Sequence, residues 1–87
     1  MDRLLEPEIQ ILLNLSKGNN KKKRIEISKE CNIPYTTLIY LIPRLEAKGL
    51  VKETREGKKI YVELTEKGKE KVNEIRSRLL KELGVSQ

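Results

Sequence analysis

The stretch that decides the fold is IEISKECNIPYTTLIYLIPRLEAKGLVKETREGKKIYVELTEKG, residues 25–68. Its first part predicts two short helices joined by a tight turn, with a helix from about Glu26 to Cys31 before the turn. Asn32 tolerates the left-handed backbone that ends helices, and Ile33-Pro34 then turns the chain because a residue before proline avoids the helical region. Apolar residues at three- and four-residue spacing predict the second helix from about Tyr35 to Lys48.

The second part of the stretch predicts a hairpin and the start of another helix. Residues 50–54 and 59–64 are the two strands, because apolar and polar residues alternate along the second of them at the period of a half-buried strand. Gly57 supplies the positive φ that a tight hairpin loop needs. Thr65 is a good N-cap for a last helix that continues to about Leu83.

The segments before the stretch add one helix and one basic run. Residues 7–17 predict a first helix, and residues 21–25 carry four basic side chains and predict at most a very short strand. The first helix has two apolar stripes, although a helix on the surface of one chain needs only one. The second stripe, together with a long stripe on the last helix, therefore predicts a homodimer. The side chains assigned to dimerisation are Leu4, Ile11, Leu15, Val72, Ile75, Leu79 and Leu83.

Composition argues against several classes of function. The chain has 87 residues, no histidine and a single cysteine, so it is expected to form one domain without a disulfide or a bound metal. No general base or nucleophile stands out, so neither an enzyme nor a cofactor-binding protein is predicted. Cys31 lies on the inner face of its predicted helix, which favours a small core residue over a redox sensor.

The charge of the chain suits a polyanionic partner. The formal net charge is +6, with 19 basic and 13 acidic side chains. No apolar run approaches the roughly 20 residues of a membrane span, and the N-terminus does not resemble a signal peptide. The expected location is therefore the cytoplasm, without membrane attachment.

The order helix, basic segment, helix, turn, helix, hairpin, helix is the plan of a winged helix-turn-helix. The predicted fold class is α+β, mainly α, with a two-stranded wing and a C-terminal dimerisation helix. Residues 1–87 form one domain, divided into the winged helix-turn-helix at 1–65 and the C-terminal helix at 66–87. The sequence RLEAKGLV at 44–51 and YVELTEKG at 61–68 resembles the winged-helix regulators of the MarR, PadR and ArsR kinds, over about residues 9–83.

This plan, and the resemblance, indicate which side chains contact DNA. The second helix of the pair has a core face, and its other face points toward a major groove. The wing tip is expected along the adjacent minor groove or backbone, and the basic segment is expected beside flanking phosphates. The predicted DNA-binding residues are Lys23, Arg24, Tyr35, Thr36, Thr37, Tyr40, Arg44, Arg55, Lys58 and Lys59.

The predicted function is sequence-specific binding of double-stranded DNA by a homodimeric transcriptional regulator. The second half of the recognition helix departs from the pattern of such regulators, because Ile39, Ile42 and Pro43 stand where polar or basic residues are usual. Pro43 is also expected to remove a hydrogen bond and kink the helix. Two alternatives follow: a non-specific architectural DNA-binding protein, or a winged-helix module whose apolar surface binds another protein.

Overall fold

A computed structural model describes residues 6–18, 21–82 and 84. Within them the chain forms four helices and three strands in the order helix, strand, helix, helix, strand, strand, helix. The elements are α1 (Pro7–Leu15), β1 (Lys21–Lys23), α2 (Arg24–Cys31), α3 (Tyr35–Ala47), β2 (Val51–Glu56), β3 (Lys59–Leu64) and α4 (Glu66–Glu82). This architecture confirms the predicted α+β winged helix-turn-helix.

The sheet is antiparallel and has the strand order β1-β3-β2. The hairpin of β2 and β3 is the predicted wing, in register from Val51 opposite Leu64 to Glu56 opposite Lys59. The basic segment adds a third strand, in which Lys22 lies opposite Val62. Since β1 ends at Lys23, helix α2 begins at Arg24 rather than at Glu26 as predicted.

One core lies between the helices and the sheet. Its fully buried side chains come from α1, α2, α3 and β3 and are Ile11, Leu15, Ile27, Leu38, Ile42, Leu45 and Val62. Helix α1 contacts α2, β3 and α4. Both of its apolar stripes therefore contribute to the core of a single protomer, because a helix with neighbours on several sides buries more than one stripe.

This packing corrects the structural argument for the dimerisation residues. Ile11 and Leu15 are fully buried within the protomer, so their side chains have no area left to bury against a partner. Val72 and Ile75 of α4 are also buried in the same core, while Leu79 is only partly buried against it. Leu4 and Leu83 lie outside the described residues.

Helix α3 continues through Pro43 as one helix of 13 residues. Proline has no backbone N–H, so the turn that contains it lacks one helical hydrogen bond. Pro43 is exposed, and water can therefore satisfy the carbonyl group that loses its partner. On the core side of the same helix, Leu38, Leu41 and Leu45 are buried, and their packing holds the helix on both sides of the proline.

The end of α3, the wing and the start of α4 meet at a close backbone junction. Thr65 caps α4 as predicted: its hydroxyl accepts a hydrogen bond from the Gly68 N–H at 3.0 Å and donates one to the Gly49 carbonyl at 2.6 Å. The Thr65 N–H donates to the Leu50 carbonyl at 3.1 Å. Gly68 lies so near that a Cβ atom there would be 2.1 Å from the Leu50 carbonyl oxygen. Only glycine fits, and this contact fixes α4 against the base of the wing.

Candidate nucleic-acid interface

The first half of α3 presents polar and aromatic side chains on the side opposite the core. Tyr35 is 41% exposed and Tyr40 is 63% exposed, Thr36 is exposed, and Thr37 is half-buried. The Thr37 N–H donates to the Pro34 carbonyl at 3.0 Å, which closes the first turn. The predicted outward face of the recognition helix is therefore present, and it is concentrated at the N-terminal end, where such helices contact base edges.

Arg44, near the other end of α3, is held by residues of its own chain. Its Nε atom is 3.3 Å from a carboxylate oxygen of Glu8 in α1, and its guanidinium donates to the Tyr40 hydroxyl at 3.3 Å. The guanidinium also lies 5.6 Å from the centre of the Tyr40 ring. Lys48 binds the other Glu8 oxygen at 2.7 Å. Glu8 therefore neutralises part of the positive charge at this end of the recognition helix.

The apolar surface predicted on α3 is smaller than the sequence indicates. Ile42 is fully buried, whereas Ile39 is 46% exposed and Pro43 is exposed. The reason is that Ile42 follows Leu38 at the four-residue spacing that places both side chains on the core face. Of the three residues that suggested a protein-docking surface, Ile42 is thus part of the core.

The basic segment serves mainly to hold the sheet and α2 together. Lys21 forms an ion pair with Glu56 at the wing, and its ammonium lies 5.0 Å from the centre of the Tyr61 ring. Lys22 binds Glu30 of α2 at 2.5 Å. The hydrogen bond and charge of Glu56 raise the pKa of Lys21, although partial burial opposes them. The positive charges of Lys21 and Lys22 are therefore already neutralised by carboxylates of the same chain.

Arg24 was predicted to contact phosphate, but it forms an ion pair with Glu53 of β2. Burial alone would lower the pKa of Arg24, but the hydrogen bond and charge of Glu53, with a contribution from the Tyr35 hydroxyl, outweigh it and raise the pKa. The guanidinium thus connects the start of α2 to the wing and to Tyr35. A cation and a carboxylate attract each other as readily as a cation and a phosphate, so residue type alone could not distinguish the two roles.

The wing tip carries three cations that form no ion pair with the described residues. Arg55, Lys58 and Lys59 are exposed, and the described part of the chain gives none of them an acidic partner. Gly57 has a φ of 65°, as the predicted loop requires. Lys23, at the end of β1, likewise has no ion pair among residues 6–18, 21–82 and 84. Its backbone N–H instead donates to the Glu26 carboxylate at 2.9 Å.

A groove of about 360 Å³ connects the wing to the starts of α2 and α3. It brings together five predicted DNA-binding residues, Lys23, Arg24, Tyr35, Lys58 and Lys59. It also contains Ile25 and Ile60, which are 48% and 41% exposed and which the sequence analysis did not assign to the site. The alternation in β3 predicted burial of Ile60, but the wing projects beyond the helices that cover Val62 and Leu64. That projection has no signature in the sequence.

Other chemistry in the described part of the chain is limited. Cys31 is half-buried against the core, and its thiol lies 3.7 Å from the Gln10 carbonyl oxygen. Burial raises the pKa of this thiol, which keeps it protonated at neutral pH. Residues 6–18, 21–82 and 84 contain no group of three acidic or cysteine side chains that could hold a metal ion. Across the same ranges, no helix is long and apolar enough to cross a membrane.

Similar proteins fall into two groups. The chain is 45% identical over 71 residues to the phenylalanine–tRNA ligase alpha subunit of Sulfolobus acidocaldarius, and the match covers 82% of the chain and 15% of the subunit. Solved structures that share its fold include the following two. AF1382 from Archaeoglobus fulgidus has a TM-score of 0.77 and 25% identity, with 90% of this chain and 91% of that one covered. Sco5413, a MarR family transcriptional regulator from Streptomyces coelicolor, has a TM-score of 0.77 and 20% identity, with 95% and 63% covered.

The sequence itself identifies the family. The chain spans 15% of the ligase subunit and less than two thirds of Sco5413, so what those whole proteins do is a separate question. The model of the winged helix DNA-binding domain family, by contrast, matches residues 4–68, which include α1 to α3, the whole wing and the start of α4. Together with the fold, this match shows that the chain belongs to the winged helix DNA-binding domain family.

Proposed function

We propose that the protein is a transcriptional regulator that binds double-stranded DNA sequence-specifically as a homodimer. The observation that carries the proposal is the groove that joins the recognition helix to the wing, because cations from β1 and the wing tip lie there beside the start of α3. Family membership and the likeness of the fold to a MarR family regulator support it.

The recognition helix reads bases through its first two turns. Thr36 and Thr37 offer hydroxyl and methyl groups to base edges, and Tyr40 offers a hydroxyl that can donate to a phosphate. Arg44 stays with Glu8 unless DNA displaces the carboxylate. Specificity therefore depends on the threonines and on DNA shape more than on an arginine–guanine pair.

The wing supplies affinity. Arg55, Lys58 and Lys59 lie on a hairpin that projects beyond the core, so phosphates reach them without any rearrangement of the domain. Each phosphate neutralised by such a cation releases condensed counterions, and this release makes binding weaken as salt rises. Lys23 extends the same positive surface to the end of β1.

The homodimer uses the apolar area that the protomer core leaves exposed. Ile9, Leu13 and Leu79 pack on the core but are only partly buried, and they lie on α1 and α4. Pairing of these helices about a two-fold axis places two recognition helices on half-sites about one helical turn apart. Leu79→Glu is expected to shift sedimentation equilibrium from dimer to monomer, while Lys81→Glu, exposed on the same helix, leaves the dimer intact. A protein that sediments as a monomer at 100 μM before substitution contradicts the dimer.

The direct test is a fluorescence-anisotropy titration of two labelled duplexes of equal length over a salt series. One carries the DNA upstream of the protein's own gene, and the other carries a scrambled sequence. A preference of about 10³-fold or more for the upstream duplex supports a regulator. Equal affinities with a steep salt dependence support a non-specific architectural protein, and absence of binding at low salt refutes both.

The 45% identity to part of a tRNA ligase subunit favours a second candidate, binding of structured RNA by the same positive face. A folded tRNA transcript, used as a competitor in the titration, separates the two candidates. Displacement of the upstream duplex at an equal nucleotide concentration supports RNA binding. No displacement at a hundredfold excess refutes it.

A further inference from the structure

We propose that the groove between the wing and the starts of α2 and α3 binds one unpaired nucleotide of a nucleic-acid strand, with its base on Tyr35 and its phosphates on the surrounding lysines. The inference rests on the proposed function only in taking nucleic acid as the partner. It adds a site for a base outside the duplex, in either DNA or RNA.

The floor of the groove is apolar and aromatic. Ile25, Tyr35 and Ile60 line it and are 48%, 41% and 41% exposed. Isolated exposed apolar side chains need no explanation, but here three of them, from α2, α3 and β3, converge on one concave surface. A base has two flat apolar faces, and stacking on a tyrosine ring covers such a face whatever the base identity.

The aromatic ring is held in place. Arg24 also lines the groove, pairs with Glu53 of β2 and interacts with the Tyr35 hydroxyl. These contacts connect Tyr35 to the start of α2 and to the wing. A platform that is ordered before binding loses little side-chain entropy when a base stacks on it.

The three lysines of the groove, which form its rim, favour a negatively charged ligand. Lys23, Lys58 and Lys59 surround the apolar floor, and the described residues offer them no ion pair. Of the acidic side chains near them in sequence, Glu53 and Glu56 pair with Arg24 and Lys21. Glu26 accepts the Lys23 backbone N–H, and Glu63 accepts the Thr54 hydroxyl. A second copy of this chain that docked through this same face would bring the same positive rim and be repelled. An unpaired nucleotide matches both the floor and the rim.

The shape of the surface distinguishes this site from ordinary duplex contact. A wedge that intercalates into a duplex must project from the protein, whereas this surface is a groove of about 360 Å³. That volume is within the range of small-ligand pockets. A paired base stays inside its stack, so only a base at an overhang, a loop or a frayed end can enter.

The test compares a blunt 14-base-pair duplex with the same duplex carrying a four-nucleotide 3′ overhang, by anisotropy with the full chain. Separate arms use DNA, RNA and an abasic DNA overhang that keeps the phosphates. We expect the overhang with bases to bind about tenfold tighter than the blunt duplex, in line with stacking of one base. The affinity for the duplex with the abasic overhang is expected to exceed that for the blunt duplex by less than threefold. An increase in affinity that occurs only with the DNA overhang, or only with the RNA overhang, identifies the strand that the site prefers. Equal increases show that either strand can occupy the site.

Matched variants locate the effect. Tyr35→Leu keeps an apolar side chain but removes the flat ring, so the overhang preference is expected to fall below threefold. Tyr35→Phe is expected to keep the ring and the preference. Ile39→Ala, which removes another exposed apolar side chain of α3 outside the groove, is expected to keep the preference as well. Equal affinity for blunt and overhang duplexes in the wild-type protein, or a preference that survives Tyr35→Leu, overturns the inference. The affinity for the blunt duplex is measured separately, and it tests the proposed function rather than this inference.

Discussion

The substitution Gly68→Ala tests how the wing is attached to the rest of the fold. A Cβ at this position lies 2.1 Å from the Leu50 carbonyl oxygen, well inside the 3.0 Å that side-chain carbon atoms keep from other atoms. The carbonyl is backbone and also accepts the Thr65 N–H at 3.1 Å, so it cannot turn aside as a flexible side chain would. The start of α4 must move away by about an ångström, and the Thr65 cap is disturbed with it.

The expected change in the free energy of unfolding is opposite in sign to the change that helix propensity alone predicts. In an open helix, Gly→Ala stabilises by about 1 kcal/mol. Overpacking at a buried backbone contact costs about 1–3 kcal/mol, and weakening of a cap costs about 1 kcal/mol more. The net loss of about 2 kcal/mol corresponds to a fall in Tm of roughly 8–16 °C for a domain of this size.

The assay is thermal unfolding followed by circular dichroism at 222 nm. Asn73→Ala is the matched control, because Asn73 is exposed on the same helix and its replacement improves helix propensity without a clash. Its Tm is expected to stay constant or rise. A Gly68→Ala protein that melts within about 2 °C of wild type, or above it, would refute the close contact between α4 and the base of the wing.

Three further predictions follow from the charges and the thiol. Lys58→Ala and Lys59→Ala are each expected to lower the slope of log K against log salt by about 0.9 per protomer, measured by anisotropy; an unchanged slope removes that lysine from the interface. Lys22, followed by the Asn14 amide, lowers the pKa of Glu30 below its ordinary 4.5, so Glu30→Gln should destabilise the protein above that pH, with the difference disappearing as pH falls through the lowered pKa. Urea unfolding over a series of decreasing pH measures this, and a stability difference that does not shrink as the pH falls below 4.5 contradicts the ion pair. Because burial raises the pKa of Cys31, iodoacetamide at pH 8 should modify it more slowly than an unstructured cysteine peptide, and an equal rate would show an accessible thiolate.

The helices and the wing could be predicted from sequence because each is encoded locally. Apolar spacing marks the core face of α3, alternation marks β3, and Thr65 marks the start of α4. Strand β1 could not be predicted with the same clarity, since Lys21, Lys22 and Lys23 have no pattern of their own. They become a strand because β3 offers a free edge for pairing, a tertiary effect that overrides weak local preference.

The site was predicted less completely because its residues depend on neighbours that are distant in sequence. The sequence correctly separated Leu38 and Leu45, which are buried, from Tyr40, which is exposed. It could not show that Glu53 binds Arg24 or that Glu8 binds the second half of α3, since these carboxylates lie far along the chain. Pairing across elements, rather than the number of basic residues, decides which cations remain available.

This pairing separates the cations that hold the fold from those that are available to a ligand. The ion pairs between elements use acidic side chains on α1, α2 and β2, and the cations they neutralise are Lys21, Lys22, Arg24, Arg44 and Lys48. The wing tip takes no part except through Glu56, which faces β1. Ion pairs that keep part of their surface in water, as these do, contribute about 0–1 kcal/mol each, so the free energy of folding depends mainly on the apolar core and the Thr65 junction. Lys58 and Lys59 are therefore free to pair with phosphates, and their substitution removes no ion pair that holds the described part of the fold.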